Sequence, residues 1–210
     1  MKFYNVVQNS EEWFDLRKGR ATASHFGEIM VNCFDKDFNY KPSAAWGKQA
    51  NDYAMRIALE RITDKRMENG YTNEWMERGH ELEPVARAEY ENQTFTDVTN
   101  GGFICDDDCG ASSDGLVKDG GIEIKSVKYN THFERLIKGG YDTKYRWQII
   151  GNIWAYNLQW LDFVSFCPEF PEEKQLYIFR VKRDDTAINY LNDRLNSFKT
   201  LIETYQAVLK

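Results

Sequence analysis

The sequence predicts a mixed α/β (α+β) domain built on a central mixed β-sheet flanked by helices. Helical periodicity dominates the chain up to about residue 94, and short β-rich segments follow from Phe95. The chain then runs through helix, two strands and a long closing helix. Strands gathered between runs of helices are the pattern of a sheet covered by helices. No repeat, low-complexity tract or Pro/Gly/Ser-rich linker divides the chain, so its 210 residues are expected to form one domain, 1–210.

Each element has a local reason. Asn9 or Ser10 caps a short helix through "EEWFDLRK", with Glu12 in capping-box spacing from Asn9. "ATASHFGEIMVN" reads as a second helix starting near Thr22 or Ser24. Arg17 and Ser24 would then flank a helix N-terminus, where outward N–H groups favour anions; a surface arginine beside a helix cap is the plainer reading. "SAAWGKQANDYAMRIALERITD" places Trp46, Ala50, Tyr53, Ala54, Ile57 and Ala58 on one helical stripe, capped by Ser43. "TNEWMERGHELEPVARAEYEN" is helical but contains Pro84, which predicts a break near Glu83. Glu83 is either a solvated glutamate or a group presented by that bend.

"GGFICDD", "GASSDGLVK" and "GIEIKSVK" are short strands, the last two joined by a hairpin at "KDGG". "NTHFERLIKGG" is a short helix with Thr131 and Glu134 in capping-box spacing and Gly139 at its end. "TKYRWQIIGNIWAYNLQ" is helical, "WLDFVSFCPEF" and "KQLYIFRVKR" are strands, and "DTAINYLNDRLNSFKTLIETYQAVLK" is an amphipathic helix.

Composition narrows the function. An aromatic content of 15% and a charged fraction of 29% fit a folded globular chain rather than a disordered one. No apolar run is long enough to span a bilayer, and "MKFYNVVQNSEEWF" lacks a signal-peptide core; a cytoplasmic protein without a membrane partner is expected. Cys33, Cys105, Cys109 and Cys167 lack the spacing of a zinc or iron–sulfur site and read as free thiols. His25, His80 and His132 lack metal-ligand spacing. A net charge of −6 argues against a simple basic nucleic-acid coat protein. The local clusters "LRKGR", "FERLIKGGYDTKYR" and "FRVKR" leave room for a DNA enzyme.

The chemistry concentrates in "SSDGLVKDGGIEIKSVK", residues 112–128. Alternate residues of a strand share a face, so Glu123 and Lys125 project together while Ile124 points into the core. Asp114 lies across the hairpin and meets Glu123 if the register allows. Two such carboxylates repel unless a cation lies between them, and Mg²⁺ suits a hard-oxygen site of this kind. Lys125 would serve as charge stabiliser or, with a lowered pKa, as proton acceptor. A salt-bridged surface hairpin would explain the same residues.

Taken with "WFDLRKGRATASHFGEIM", "ERGHELEPVARAEYE" and "YRWQIIGNIWAY", this segment resembles the lambda exonuclease or YqaJ-type viral recombination nucleases of the PD-(D/E)xK superfamily, in the family's order from Trp13 to Tyr156. The resemblance implies a restriction-endonuclease-like fold. It implies that Asp114, Glu123 and the main-chain oxygen of Ile124 hold Mg²⁺, one or two ions, with Mn²⁺ as a substitute. It makes Lys125 the catalytic lysine, Glu83 the helical glutamate reaching a metal-bound water or a second ion, and Gln148 the active-site glutamine. It assigns Arg17 and Ser24 to a pocket for the substrate 5′-phosphate. The family's motif proline before the acidic residue is Ser113 here, at a cost in backbone rigidity.

The implied activity is Mg²⁺-dependent 5′-to-3′ exonuclease digestion of one strand of linear double-stranded DNA, processive from 5′-phosphorylated ends. The 3′ overhangs would feed phage-type recombination through a single-strand annealing protein. The implied assembly is a homotrimeric ring around DNA. Two alternatives stay open: an endonuclease on the same core, and a non-catalytic DNA-binding scaffold.

Overall fold

The computed structural model describes residues 1–67 and 74–210. Thr72 and Asn73, where the fourth predicted helix begins, lie outside the described residues. The chain opens with β1 (Lys2–Tyr4), α1 (Glu11–Arg17), β2 (Ala21–Thr22), α2 (Phe26–Ile29), α3 (Lys48–Thr63) and α4 (Glu74–Thr94). Four strands follow: β3 (Phe103–Cys105), β4 (Cys109–Ala111), β5 (Gly115–Val117) and β6 (Gly120–Ser126). Then come α5 (Tyr129–Lys138), α6 (Arg146–Ala155), β7 (Trp160–Phe166), β8 (Leu176–Lys182) and α7 (Asp185–Leu209).

The strands form two four-stranded sheets rather than one, in the orders β1-β3-β4-β2 and β5-β6-β7-β8. Both are mixed: β2 runs parallel to β4 and β6 parallel to β7, with antiparallel partners elsewhere. The chain crosses from the first sheet to the second at Ser112–Asp114. Pairing of Gly115 with Ile122 and Val117 with Gly120 settles the hairpin register and leaves Lys118 and Asp119 as its turn. Gly120 is needed for packing, because a Cβ there would stand 2.5 Å from the Trp160 ring.

The two faces of β6 meet different cores. Ile122 and Ile124 pack with Val164 and Phe166 of β7 and with Ala86 and Tyr90 of α4. A larger cluster joins α2, α3, α6 and α7 to Leu161 and Phe163 of β7. Burying each such side chain contributes about 1.5–3 kcal/mol. Tyr90 also donates to the buried Asp162 carboxylate at 2.8 Å, which Arg180 holds with two bonds of 2.8 Å. α4 is thus fixed to β7 by polar as well as apolar contact.

Several local expectations change. Ser10 alone caps α1, its hydroxyl accepting from Trp13 N at 3.2 Å, while Asn9 takes a positive φ of 64°. The second predicted helix is only α2, because Ala21 N and Thr22 N are already committed, to the Asp108 carbonyl and the Tyr53 hydroxyl. Ser24 therefore sits in the 3-10 turn Ala23–His25 and not at the N-terminus of a longer helix. α3 starts after Gly47, not Ser43. The buried Arg194 of α7 draws on the Ala44 and Pro42 carbonyls, at 2.9 and 3.5 Å, and holds that segment out of the helix. α5 begins at Tyr129, which places Thr131 inside it rather than at its cap.

The break predicted at Glu83 is absent, and α4 runs through Pro84. Pro84 lies on an exposed side of the helix, so the carbonyl that loses its partner four residues back faces water. All four cysteines are buried and free, as expected. Among the described residues no helix is long and apolar enough to cross a membrane.

Candidate active site

Asp114 stands at the bend between the two sheets, immediately before β5, and is 9% exposed. Its Oδ2 accepts from the Ile124 N–H at 2.6 Å, which ties the carboxylate across the hairpin to β6. Gln8 Nε2 donates to Asp114 Oδ1 at 3.3 Å and to the Ser113 carbonyl at 3.1 Å. Arg87 of α4 donates to the Asp114 main-chain oxygen. Ser113 is fully buried, and its hydroxyl lies within donating distance of the Gly115 and Ile122 carbonyls, at 3.0 and 2.9 Å. These bonds restore the rigidity that a proline at this position would supply.

Glu123 is completely buried on the α6 side of β6. Its Oε1 lies 2.5 Å from Lys125 Nζ and accepts from Gln148 Nε2 at 2.5 Å. Its Oε2 accepts from Asn152 Nδ2 at 2.9 Å. Gln148 and Asn152, four residues apart on α6, thus grip one carboxylate from one helical face. Ile124, between Glu123 and Lys125, turns its side chain into the α4 core and presents its peptide to Asp114. Glu83 comes from α4, with Arg87 Nη2 4.0 Å from its Oε1.

The electrostatics follow from this crowding. Burial pushes the Glu123 carboxyl up to about 8, Asp114 pushes the same way and Lys125 opposes them. Burial and then Asp114 push Glu83 up to about 7, against the pull of Arg87 and Lys125. Burial alone would lower Lys125, but Glu123 and Asp114 more than offset it and raise its pKa. This direction favours the charge-stabilising role of Lys125 over that of proton acceptor.

The donor set fits a hard divalent cation: carboxylates that repel one another, with the Ile124 peptide beside them. Among the described residues, no group of three His, Cys, Asp or Glu side chains is preformed as a metal cage. Asp114 and Glu83 open onto a cleft of about 420 Å³, also lined by Gln8, Asn9, His80 and Arg87.

Arg17 and Ser24 form a separate pair. Arg17 Nη2 lies 3.5 Å from Ser24 Oγ, and its guanidinium stacks 4.2 Å from the centre of the Trp13 ring. Trp13 Nε1 donates to Ser112 Oγ at 3.1 Å, two residues ahead of Asp114. A basic hollow lies beside this pair, lined by Arg17, Lys18, Thr22, Tyr53 and Arg56.

Structure thus brings together Asp114, Glu123, Ile124, Lys125 and Gln148, with Glu83 at the edge. Gln8, Asn152, Arg87 and Arg56 had not been singled out from sequence. Only Asn152 had a readable signal, a polar residue four positions after Gln148 on an otherwise apolar helical face.

A family model described as the YqaJ-like viral recombinase domain matches residues 12–158. The chain is similar to an alkaline exonuclease (LHK-Exo) from Laribacter hongkongensis, at 32% identity over 95% of this chain and 96% of that one, with a TM-score of 0.82. It is similar to LHK-Exo in complex with dAMP at 33% identity, over 96% of each chain, with a TM-score of 0.82. A phage related exonuclease from Haemophilus somnus 129PT is 14% identical, over 94% of this chain and 99% of that one, with a TM-score of 0.71, and shares the fold. The architecture is the restriction-endonuclease-like one of these exonucleases. No curated protein matches the sequence.

Proposed function

Because the chain belongs to the YqaJ-like viral recombinase domain family, we propose that it is a DNA nuclease of the lambda exonuclease type, working as one nuclease domain over 1–210. The observation that carries this reading is the meeting of Asp114, Glu123, Lys125 and Gln148 at one end of the β5–β6 hairpin, with Glu83 beside them. The reaction is hydrolysis of one strand of linear double-stranded DNA from a 5′-phosphorylated end, 5′ to 3′ and processive. The dAMP bound by LHK-Exo is a 5′-mononucleotide, the kind of product such a reaction releases.

Asp114, Glu123 and the main-chain oxygen of Ile124 would hold Mg²⁺ or Mn²⁺, with Glu83 reaching the same ion through water or a second ion. Such an ion would activate the attacking water and offset charge on the leaving oxygen. The chain's own groups do the rest. Gln148 and Asn152 fix the Glu123 carboxylate, while the Ile124 N–H and Gln8 fix that of Asp114. Lys125 places a permanent positive charge beside these carboxylates, where charge on the scissile phosphate develops. Arg17 and Ser24 hold the 5′-phosphate at a set distance along the strand and so select the end to be cut.

The 3′ overhang would serve recombination through a single-strand annealing partner. A homotrimeric ring enclosing DNA would account for processivity in a chain of net charge −6, and the host-cell cytoplasm is the place for this work. The test is digestion of a linear duplex labelled on one strand, with Mg²⁺ or EDTA, beside a closed circular plasmid. Mg²⁺-dependent loss of the 5′-phosphorylated strand, with the circle intact, is expected. Cutting of the circle would replace this reading with the endonuclease, and binding without cleavage would replace it with the scaffold.

A further inference from the structure

The basic hollow beside Arg17 holds a cation that the 5′-phosphate reading does not use. Most charges there are committed to the fold. Lys18 pairs with Asp64 at 2.8 Å, and Arg20 donates to the Asp106 and Leu16 carbonyls at 2.6 and 2.8 Å. Glu60, the carboxylate lining the hollow, is turned to the backbone and accepts from Gly19 N at 2.8 Å and Met67 N at 3.0 Å. Arg56 of α3 differs, for among the described residues it makes no ion pair.

Arg56 is nevertheless held in place. Its guanidinium carbon lies 4.7 Å from the centre of the Tyr53 ring, and its Nη2 lies 3.4 Å from His25 Nε2. A guanidinium has no lone pair to offer, so His25 Nε2 is the acceptor and the ring proton sits on Nδ1. From there it is donated to Glu28 Oε1 at 2.8 Å. The Tyr53 ring is itself pinned, its hydroxyl accepting from Thr22 N at 2.8 Å and donating to the Arg20 carbonyl at 3.3 Å. Thr22 and Ser24 hydroxyls lie 3.2 Å apart on the same side.

We propose that Arg56 is a second phosphate-gripping guanidinium of the 5′-end pocket, opposite Arg17, and that Glu28 and His25 are positioning residues that aim it. This rests on the reading of Arg17 and Ser24 as the 5′-phosphate pocket. An oriented guanidinium fork matches a phosphate's oxygens and loses little freedom on binding. An arginine that makes no ion pair among the described residues, stacked on a buried tyrosine beside two hydroxyls, is arranged for an anion. A terminal phosphate, carrying more charge than an internal diester, gains more from two arginines than from one.

The experiment compares digestion of linear duplex with 5′-phosphate and 5′-hydroxyl ends for the wild type, Arg17→Ala, Arg56→Ala, Arg56→Lys, His25→Ala and His25→Gln. Circular dichroism checks that each is folded. Arg56→Ala is expected to shrink the phosphate-to-hydroxyl preference about tenfold, the loss of a charge-assisted bond. Arg56→Lys should fall between it and the wild type, because it keeps charge without the fork. His25→Ala should raise KM for phosphorylated ends more than it lowers kcat, and His25→Gln, which restores an acceptor, should recover part of that loss. Full preference in Arg56→Ala alongside lost preference in Arg17→Ala overturns this inference and leaves the pocket standing. If the wild type shows no end preference, the pocket reading fails and the inference fails with it. Should Arg56→Ala not fold, an unchanged preference in Arg56→Lys and Arg56→Gln overturns the inference equally.

Discussion

Lys125 shows how one residue's charge is decided by its neighbours. Burial by itself would lower its pKa, yet Glu123 at 2.5 Å and the nearby Asp114 raise it instead. A fixed ammonium contributes to cleavage through charge, so Lys125→Ala should slow digestion of a 5′-phosphorylated duplex by about 10²–10³-fold. DNA binding, measured by filter retention in EDTA, should persist because the flanking arginines remain. Undiminished cleavage by that variant would remove Lys125 from the mechanism. At this scale much of the candidate site was readable in the sequence. Asp114, Glu123 and Lys125 lie within twelve positions on one hairpin, and the pairing rule places the last two on one face. Gln8 and Arg56 were not readable. Each reaches its site from a distant part of the chain, with nothing in "VVQNS" or "AMRIA" to set it apart.

Among the elements, α4 departs furthest from its local propensity. Tyr90 bonded to Asp162, and Ala86 and Tyr90 packed against β6 and β7, outweigh the interior proline. A proline inside a helix costs about 3 kcal/mol relative to alanine. Pro84→Ala should therefore raise the Tm by several degrees in differential scanning calorimetry, and a lowered Tm would show that Pro84 is packed rather than tolerated.

α5 carries a pH-sensitive anchor of another kind. Buried His132 lies 2.8 Å from the Lys174 carbonyl through Nε2, which must donate, so Nδ1 accepts from Ser165 Oγ at 2.9 Å. Burial lowers its pKa, against the pull of the Lys174 carbonyl. The folded protein thus prefers neutral His132, whereas the unfolded chain takes up its proton near pH 6.5. The stability this contributes is complete above about pH 6.5 and is lost as the pH falls below it toward the folded value. Melting of His132→Gln should show less acid loss between pH 8 and 5 than the wild type; equal slopes would exclude the histidine. Most helices and strands were legible through periodicity. β2 and the start of α3 were not, because a parallel partner in β4 and an arginine in α7 decide them.

The division into two sheets could not be read from short strands whose partners lie far apart in sequence. β1 pairs with β3 across about a hundred residues, and β2 pairs with β4. That division gives Asp114 a second consequence. It sits on the segment joining β4 to β5, tied to β6 by the Ile124 N–H and to the Val7–Asn9 segment by Gln8. A cation held by Asp114 and Glu123 would therefore join two parts of the molecule while offsetting the burial, and after it the repulsion from Asp114, that raise Glu123 and Glu83. Binding to the folded chain alone stabilises it by mass action, about 2.7 kcal/mol at a hundredfold excess over Kd. In a chain of this length that shift is worth roughly 5–10 °C in Tm. Thermal melting with Mg²⁺ against EDTA should show such a rise in the wild type, and in Lys125→Ala, which keeps the carboxylates. Asp114→Asn should lose most of it, since an amide is a weaker ligand and no longer balances the cation's charge. An equal rise in Asp114→Asn would place the stabilising ion elsewhere and separate the junction between the sheets from the chemistry of the hairpin.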